Sequence, residues 1–121
     1  MKRTLMFCAI FFVGLLTSCS GKLTMDQIRA KAEKGDVNCQ YLLGDSLLLG
    51  HECEKNSDEG IKWLLKAADQ GHAKAQFVLG GCYLLGDGVK QDHDEAVKWL
   101  RKAAEQGNPG AQEMLQNMEH E

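Results

Sequence analysis

The sequence predicts an all-α fold: a short right-handed α–α superhelix, a solenoid of helix–turn–helix repeats, with about five helices behind an amino-terminal export segment. Three observations predict it. Residues 35–70 and 71–106 are near-copies at one offset of 36 residues with no gap. Within each copy the apolar residues recur at helical spacing. Glycines break each copy at the same two places, where a helix has to stop.

The first element is an export signal over residues 1–18. Lys2 and Arg3 give a basic start, and Leu5 to Leu16 is apolar apart from Gly14. That run is about a dozen residues, short of the roughly 20 a membrane-crossing helix needs. It ends in Leu16-Thr17-Ser18-Cys19. An aliphatic residue, two small residues and a cysteine resemble the lipobox of bacterial lipoproteins. The resemblance implies thioether lipidation of Cys19, cleavage before it and acylation of the new amino terminus. Several acyl chains on one residue hold a membrane stably where a single chain does not. Ser20, in place of the aspartate that retains such proteins in the inner membrane, implies the outer one. Residues 19–23 are then a short tether, and the folded part, 24–121, lies close to the membrane.

The folded part opens with a half-unit over 24–34. Thr24 and Gln27 form a capping-box pattern. They start a helix in which Ile28 and Ala32 share the register of Leu64 and Ala68. Units 35–70 and 71–106 follow. Gln40 matches Gln76, Leu43-Gly44 matches Leu79-Gly80, and Lys62-Trp63-Leu64 matches Lys98-Trp99-Leu100. Lys66-Ala67-Ala68 likewise matches Lys102-Ala103-Ala104. Each unit reads as a helix A and a helix B. In the second, helix A spans about Ala73 to Leu85 and turns Ala75, Leu79, Cys82 and Tyr83 to one face. Gly86-Asp87-Gly88 stops it, and Val89 tucks inward. Asp92 or His93 opens helix B, whose buried stripe is Ala96, Trp99, Leu100, Ala103 and Ala104. Gly44 and Gly80 sit inside helix A, where glycine costs about 1 kcal/mol against alanine. Close helix–helix approach, opposite a tryptophan, would explain the repetition. The last half-unit, 107–121, begins with Asn108 as cap and Pro109 in the first helical position.

These residues carry a family resemblance. Ala75-Gln76, Leu79-Gly80, Tyr83, Gly86-Asp87-Gly88-Val89, Asp92, Ala96, Trp99, Lys102-Ala103-Ala104 and Gly107 are similar to the Sel1-like repeat, a relative of the tetratricopeptide repeat. The first unit departs from it: Glu52 replaces the second loop glycine, Cys53 the valine and Gly60 the helix-B alanine. With its flanking half-units the resemblance covers about Thr24 to Met118. It implies a scaffold or adaptor for a protein or peptide partner, in bacteria often secreted or envelope-bound. A structural subunit of an envelope or export complex is the alternative, and a secreted or surface factor that meets host or competitor proteins is another.

Composition and motifs narrow the chemistry. The whole chain has 14 basic and 17 acidic side chains. Loss of Lys2 and Arg3 brings the exported part to a net charge of about −5. With no basic patch, nucleic acid is not the expected partner. Some cysteine-rich members of the family resembled here are described as β-lactam-hydrolysing. That chemistry calls for Ser-x-x-Lys or a zinc site. None of Ser20, Ser46 and Ser57 has a lysine three residues on. His51-Glu52-Cys53-Glu54 is the densest group of ligand-type side chains, yet neighbours in one loop rarely converge on a metal unaided. No catalytic residue, metal or cofactor is expected, and the chain is expected to be a monomer.

Three cysteines remain after Cys8 and Cys19: Cys39, Cys53 and Cys82. Cys53 and Cys82 occupy positions usually apolar in neighbouring units. They are candidates for a disulfide that would close a loop of about 30 residues and add on the order of 3–4 kcal/mol; two separate buried thiols are the other reading. Cysteine-rich relatives pair the end of helix B with the next helix A. Here Lys31 and Ala32 stand where Cys39 would need its partner, so that pattern is absent. The candidate partner groove is the side of helix A opposite its core stripe: Tyr41, Asp45 and Leu48, then Phe77, Gly81 and Leu84, continued by Glu113 and Asn117. Its apolar members suggest a groove for a peptide or helix, against ordinary packing on a neighbouring helix.

Overall fold

The computed structural model describes residues 21–120. The signal segment, Cys19 and Ser20 lie outside the described residues. Six helices follow in order: α1 (Met25–Glu33), α2 (Val37–Leu49), α3 (Ser57–Asp69), α4 (Ala73–Leu85), α5 (His93–Glu105) and α6 (Pro109–Glu119). The total is one more than the expected five or so, and it equals the sum of the elements read from the sequence, one helix in each half-unit and two in each unit. Helices α2 and α4 are the A helices of the two units, α3 and α5 their B helices. No strand occurs among the described residues.

Each helix starts where a side chain can accept an otherwise unpaired backbone N–H. At α1, Gln27 N–H donates to Thr24 Oγ1 at 3.3 Å and Thr24 N–H donates to Gln27 Oε1 at 3.0 Å, which completes the predicted capping box. The A helices are capped at one repeat position by three different residues: Asp36, His72 and Asn108. The B helices use Asn56 and Asp92. The predicted stop at Gly86 is a left-handed residue with φ 72°.

Each helix packs chiefly on the next, and the two A helices also touch each other. No pair of B helices makes comparable contact, so the A helices line the inner side of the curve. Leu43, Leu64, Leu79 and Leu100 are the largest fully buried side chains. The core forms three clusters along the stack. Ile28, Ala32, Cys39, Leu43 and Leu47 make the first. Leu48, Ile61, Leu64, Leu79, Cys82 and Trp99 are central to the second. Leu100, Ala103 and Ala111 make the third, under α6.

Glycines 44 and 80 mark close approach, as expected, but the opposing residue is leucine rather than tryptophan. A Cβ on Gly44 would lie 2.8 Å from Leu64 Cγ, and one on Gly80 would lie 2.6 Å from Leu100 Cγ. Helical periodicity identifies the face correctly; the height at which the partner helix presents its residues decides which one fills the gap.

A polar ladder runs through the same interfaces. Gln40 and Gln76 are buried, at 5% and 4% exposure. Their Nε2 groups donate to the carbonyls of Ala32 and Ala68 at 3.1 and 3.0 Å, at the end of the preceding B helix. Their Oε1 atoms accept from Gln70 and Gln106 Nε2, each at 2.8 Å, at the end of the following B helix. Each glutamine ties two B helices to the A helix between them. A buried amide satisfied on both sides fixes register, since a slip would leave it unpaired.

The outermost helices alter the repeat where a further neighbour would press. In α6, Gln116 stands at the position of Gly44 and Gly80, and Glu119 at that of Leu47 and Tyr83; both are exposed. In α1, Gln27 replaces the tryptophan and Lys31 the buried Ala67 or Ala103, again exposed. The outer faces of both helices are therefore more polar than the matching faces of the two units.

Candidate functional site

The predicted groove residues do not form one continuous channel. Tyr41 is half-buried and stacks on His72, with ring centroids 4.7 Å apart at 23°. With Asn38, Leu42, His72, Ala73 and Lys74 it lines a shallow hollow of about 430 Å³. Asp45 is half-buried, and burial holds its carboxyl above the usual carboxylate range despite nearby His51. Leu48 departs from the expectation of an open position: it is 5% exposed and belongs to the second core cluster with Ile61 and Cys82. A complete unit lies beside it. Its counterpart Leu84 is half-buried, against Leu100, Ala103 and Ala111 of the third cluster. Phe77 packs on the same cluster, its ring 3.0 Å from where a Cβ on Gly110 would lie. The space beside Gly81 is open, and Glu113 and Asn117 are exposed. What the inner face offers is therefore the hollow at Tyr41, with Gly81, Glu113 and Asn117 further along.

His72 contributes to that hollow and caps α4. Its Nδ1 accepts from Ala75 N–H at 3.2 Å, so the ring proton resides on Nε2, which faces Asn38 Oδ1 at 3.2 Å. Burial, and then Lys74, push the imidazole pKa down. The neutral ring is the form that can cap.

The cysteine pairing is corrected by the packing. Cys39, Cys53 and Cys82 are all free thiols. Cys53 packs against the first cluster and its thiol donates to the Ser46 carbonyl at 3.5 Å. Cys82 is inside the second cluster, and burial pushes its pKa up to about 11. The residue that reaches the second cluster from a loop is Val89, the counterpart of Cys53 one unit later. The repeat itself therefore separates the two sulfurs by one unit. Among the described residues, no three His, Cys, Asp or Glu side chains are placed to hold a metal ion. No helix among them is long and apolar enough to cross a membrane.

A second kind of site escaped the sequence reading. Two hollows occupy the same position in the two units, between the A–B loop and the first turn of helix B. The first, about 410 Å³, is lined by Leu47, Cys53, Asn56, Glu59 and neighbours, together with Arg29 from α1. The second, about 730 Å³, is lined by the counterparts Tyr83, Val89, Asp92 and Glu95, with Lys90, Gln91 and His93. In the first, Arg29 Nη1 lies 2.6 Å from Glu59 Oε1, which also accepts from Trp63 Nε1 at 3.3 Å. Arg29 holds the Glu59 carboxyl below its usual range, with the Trp63 hydrogen bond adding to the effect. The 36-residue offset places Leu65 at the position of Arg29, a signal that was present in the sequence.

The family model described as Sel1 repeat matches residues 37–72 and 73–108. The chain belongs to the Sel1 repeat family. These frames have the same 36-residue period as the units defined above, displaced by two residues. Sel1 repeats mediate protein–protein interaction, and the repeat is typically a scaffold rather than a catalyst. The chain is similar to c5321, described as a protective antigen present in uropathogenic Escherichia coli strains and displaying an SLR fold. Identity is 39%, the TM-score is 0.79, and the match covers 82% of this chain and 21% of that one. It is also similar to a Sel1 repeat protein from Oxalobacter formigenes, with 38% identity, TM-score 0.68, and coverage of 72% and 36%. Cysteine rich protein B of Helicobacter pylori shares the fold at 23% identity and TM-score 0.69, over 74% of this chain and 68% of that one. The chain thus spans about a fifth and about a third of the first two proteins. No curated protein matches significantly.

Proposed function

We propose that this chain is a lipid-anchored interaction module of the bacterial envelope that holds a protein or peptide partner and catalyses no reaction. The observation that carries the reading is a pair of intact Sel1 repeats that presents hollows on its surface. Anchoring rests on Leu16-Thr17-Ser18-Cys19 behind an apolar run. The tether over 19–23 would keep the repeats within a few nanometres of the bilayer, at about 3.5 Å per extended residue. The inner face around Tyr41 is the first candidate for partner contact, because a stacked aromatic pair beside Leu42 offers apolar area with a polar edge.

Two measurements test this. Labelled palmitate should enter the full chain and fail to enter the Cys19→Ala chain, which should leave the membrane fraction. Mild cross-linking in the native envelope should give a discrete partner adduct that Tyr41→Ala weakens with the helical circular dichroism unchanged. Loss of neither label nor adduct would defeat the reading. A fixed stoichiometric assembly in place of a transient adduct would favour a structural subunit of an export complex.

A further inference from the structure

In unit one, a guanidinium from α1 lines the hollow beside helix B and pairs with its carboxylate. Arg29 reaches Glu59 at 2.6 Å, and the same carboxylate oxygen takes the Trp63 indole N–H at 3.3 Å. Unit two has the same carboxylate and the same indole without the arginine. Leu65 stands at the Arg29 position. Glu95 instead contacts Lys98 of its own helix, at 2.6 Å, with the Lys98 side chain 67% and the Glu95 side chain 35% exposed. Trp99 is 7% exposed and its Nε1, fully buried, has no hydrogen-bond partner. Both indoles lie under a lysine three residues on: Lys66 Nζ lies 4.4 Å from the Trp63 ring centre, and Lys102 Nζ lies 4.5 Å from that of Trp99. Glu95 lines the open hollow of about 730 Å³, one helical turn before the unsatisfied Trp99 donor, so the triad of unit one is incomplete in unit two.

We propose that this second hollow receives an arginine side chain of the partner protein, and that unit one carries a built-in copy of the contact. This inference rests on the interaction-module reading and names the chemistry of what is bound. Arginine suits the site better than lysine. Its planar fork bridges a carboxylate in two-point geometry, whereas an ammonium is a strongly hydrated point charge. The exposed Glu95–Lys98 pair is weak enough to be exchanged. Once drawn to a guanidinium, Glu95 would take the place that Glu59 holds, and Trp99 N–H would gain its acceptor. Asp92 adds negative charge on the same wall, while exposed Lys90 opposes it and sets a limit on affinity.

The chain has two tryptophans, so its indole N–H groups give two separable NMR signals. The full chain in detergent is titrated with N-acetyl-arginine methylamide, and with its lysine and citrulline analogues. The expected result is a saturable shift of the Trp99 indole signal by the arginine compound, with Trp63 unmoved because Arg29 already holds Glu59. Glu95→Gln should weaken that binding about tenfold, the order of one charge-assisted hydrogen bond. Arg29→Ala should make Trp63 respond as Trp99 does, and an unmoved Trp63 signal reports that the fold survives Glu95→Gln. No saturable shift at Trp99, an equal shift with citrulline, or insensitivity to Glu95→Gln would overturn the proposal. A partner captured equally well by the Glu95→Gln chain would also overturn it while leaving the interaction reading intact. Failure to capture any partner, with the Trp99 response preserved, would do the reverse.

Discussion

Units one and two share a sequence pattern and differ at their joints. In unit one, the A and B helices meet backbone to backbone. A Cβ on Gly44 would lie 2.9 Å from the Gly60 carbonyl, and one on Gly60 would lie 2.9 Å from the Gly44 carbonyl. In unit two Ala96 replaces Gly60, and a Cβ on Gly80 would be 3.4 Å from the Ala96 carbonyl and nearer to the Leu100 side chain. The loops differ in the opposite sense. Unit two has Gly88 at φ 72°, and unit one has Glu52 in the same left-handed region at φ 57°. One repeat geometry is therefore held by two sets of residues. Each departure in unit one is tolerated because its neighbour departs too. A Cβ on Gly88 would meet Ile61 Cγ1 at 2.9 Å and Ser57 Cβ at 3.1 Å, whereas Gly21 and Met25 stand at the matching positions beside Glu52.

The largest test of this difference is the helix crossing. Gly44→Ala should destabilise by about 3 kcal/mol and Gly80→Ala by about 1–2 kcal/mol, after the gain in helix propensity. In the first the obstacle includes backbone, which cannot rotate away, and in the second it is chiefly a leucine side chain. Urea unfolding followed by circular dichroism measures both. Equal losses would show that the two crossings are energetically alike and that the Gly44–Gly60 contact has no special role.

Next is the loop. Gly88→Ala should cost about 2 kcal/mol, since it combines left-handed strain with a steric obstacle. The reciprocal change, Glu52→Gly, should stabilise by about 0.5–1 kcal/mol by removing strain that nothing in the first unit requires. Its one ion pair, to Lys22 at 3.8 Å, is highly exposed and contributes little. A destabilised Glu52→Gly chain would mean that the Glu52 side chain has a role beyond that contact.

How much of this was readable in advance follows the range of each interaction. Helix α4, from Ala73 to Leu85, has the expected bounds, and the Thr24–Gln27 box, the Gly86 stop and the Asn108-Pro109 start are as expected, because each is decided within a few residues. Contacts between units were legible only as faces. Periodicity shows the glycine gaps but not their leucine partners, and it leaves Leu48 in the open because its cover comes from a unit 36 residues on. Cys53 and Cys82 were brought together by position type, although the superhelix offsets them by one interface. An alignment of the half-unit on Ile28 and Ala32 alone leaves Arg29 without a counterpart. Applying the same offset to every position would have set it opposite Leu65. The cap at His72 was missed because histidine accepts a backbone N–H in only one of its tautomers.

The ion pair gives a smaller contrast. Arg29→Ala removes a pair whose side chains are 42% and 34% exposed, so the loss of stability should be about 1 kcal/mol or less. Leu65→Arg, the matching addition in unit two, should recover a contact to Glu95 at the expense of apolar packing on the second cluster. A double-mutant cycle of Leu65→Arg with Glu95→Gln isolates the new pair; zero coupling would mean that the two hollows are not equivalent.

The smallest effect is pH dependence at the A-helix caps. Asp36, His72 and Asn108 do the same work in successive helices, but only His72 loses its acceptor when it gains a proton. Its pKa is lowered in the folded chain by burial and by Lys74, against about 6.5 unfolded. Below about pH 6.5 the unfolded chain therefore binds the proton more readily than the folded one, so the stability His72 provides is full above that pH and declines as pH falls. His72→Asn keeps an acceptor that does not titrate. The stability of the two chains should be within about 0.5 kcal/mol near pH 8, and the asparagine chain should gain on the parent as pH falls towards about 5. A constant difference across that range would place the proton elsewhere than on the capping nitrogen, and the Tyr41–His72 stack would then have to hold the helix start without it.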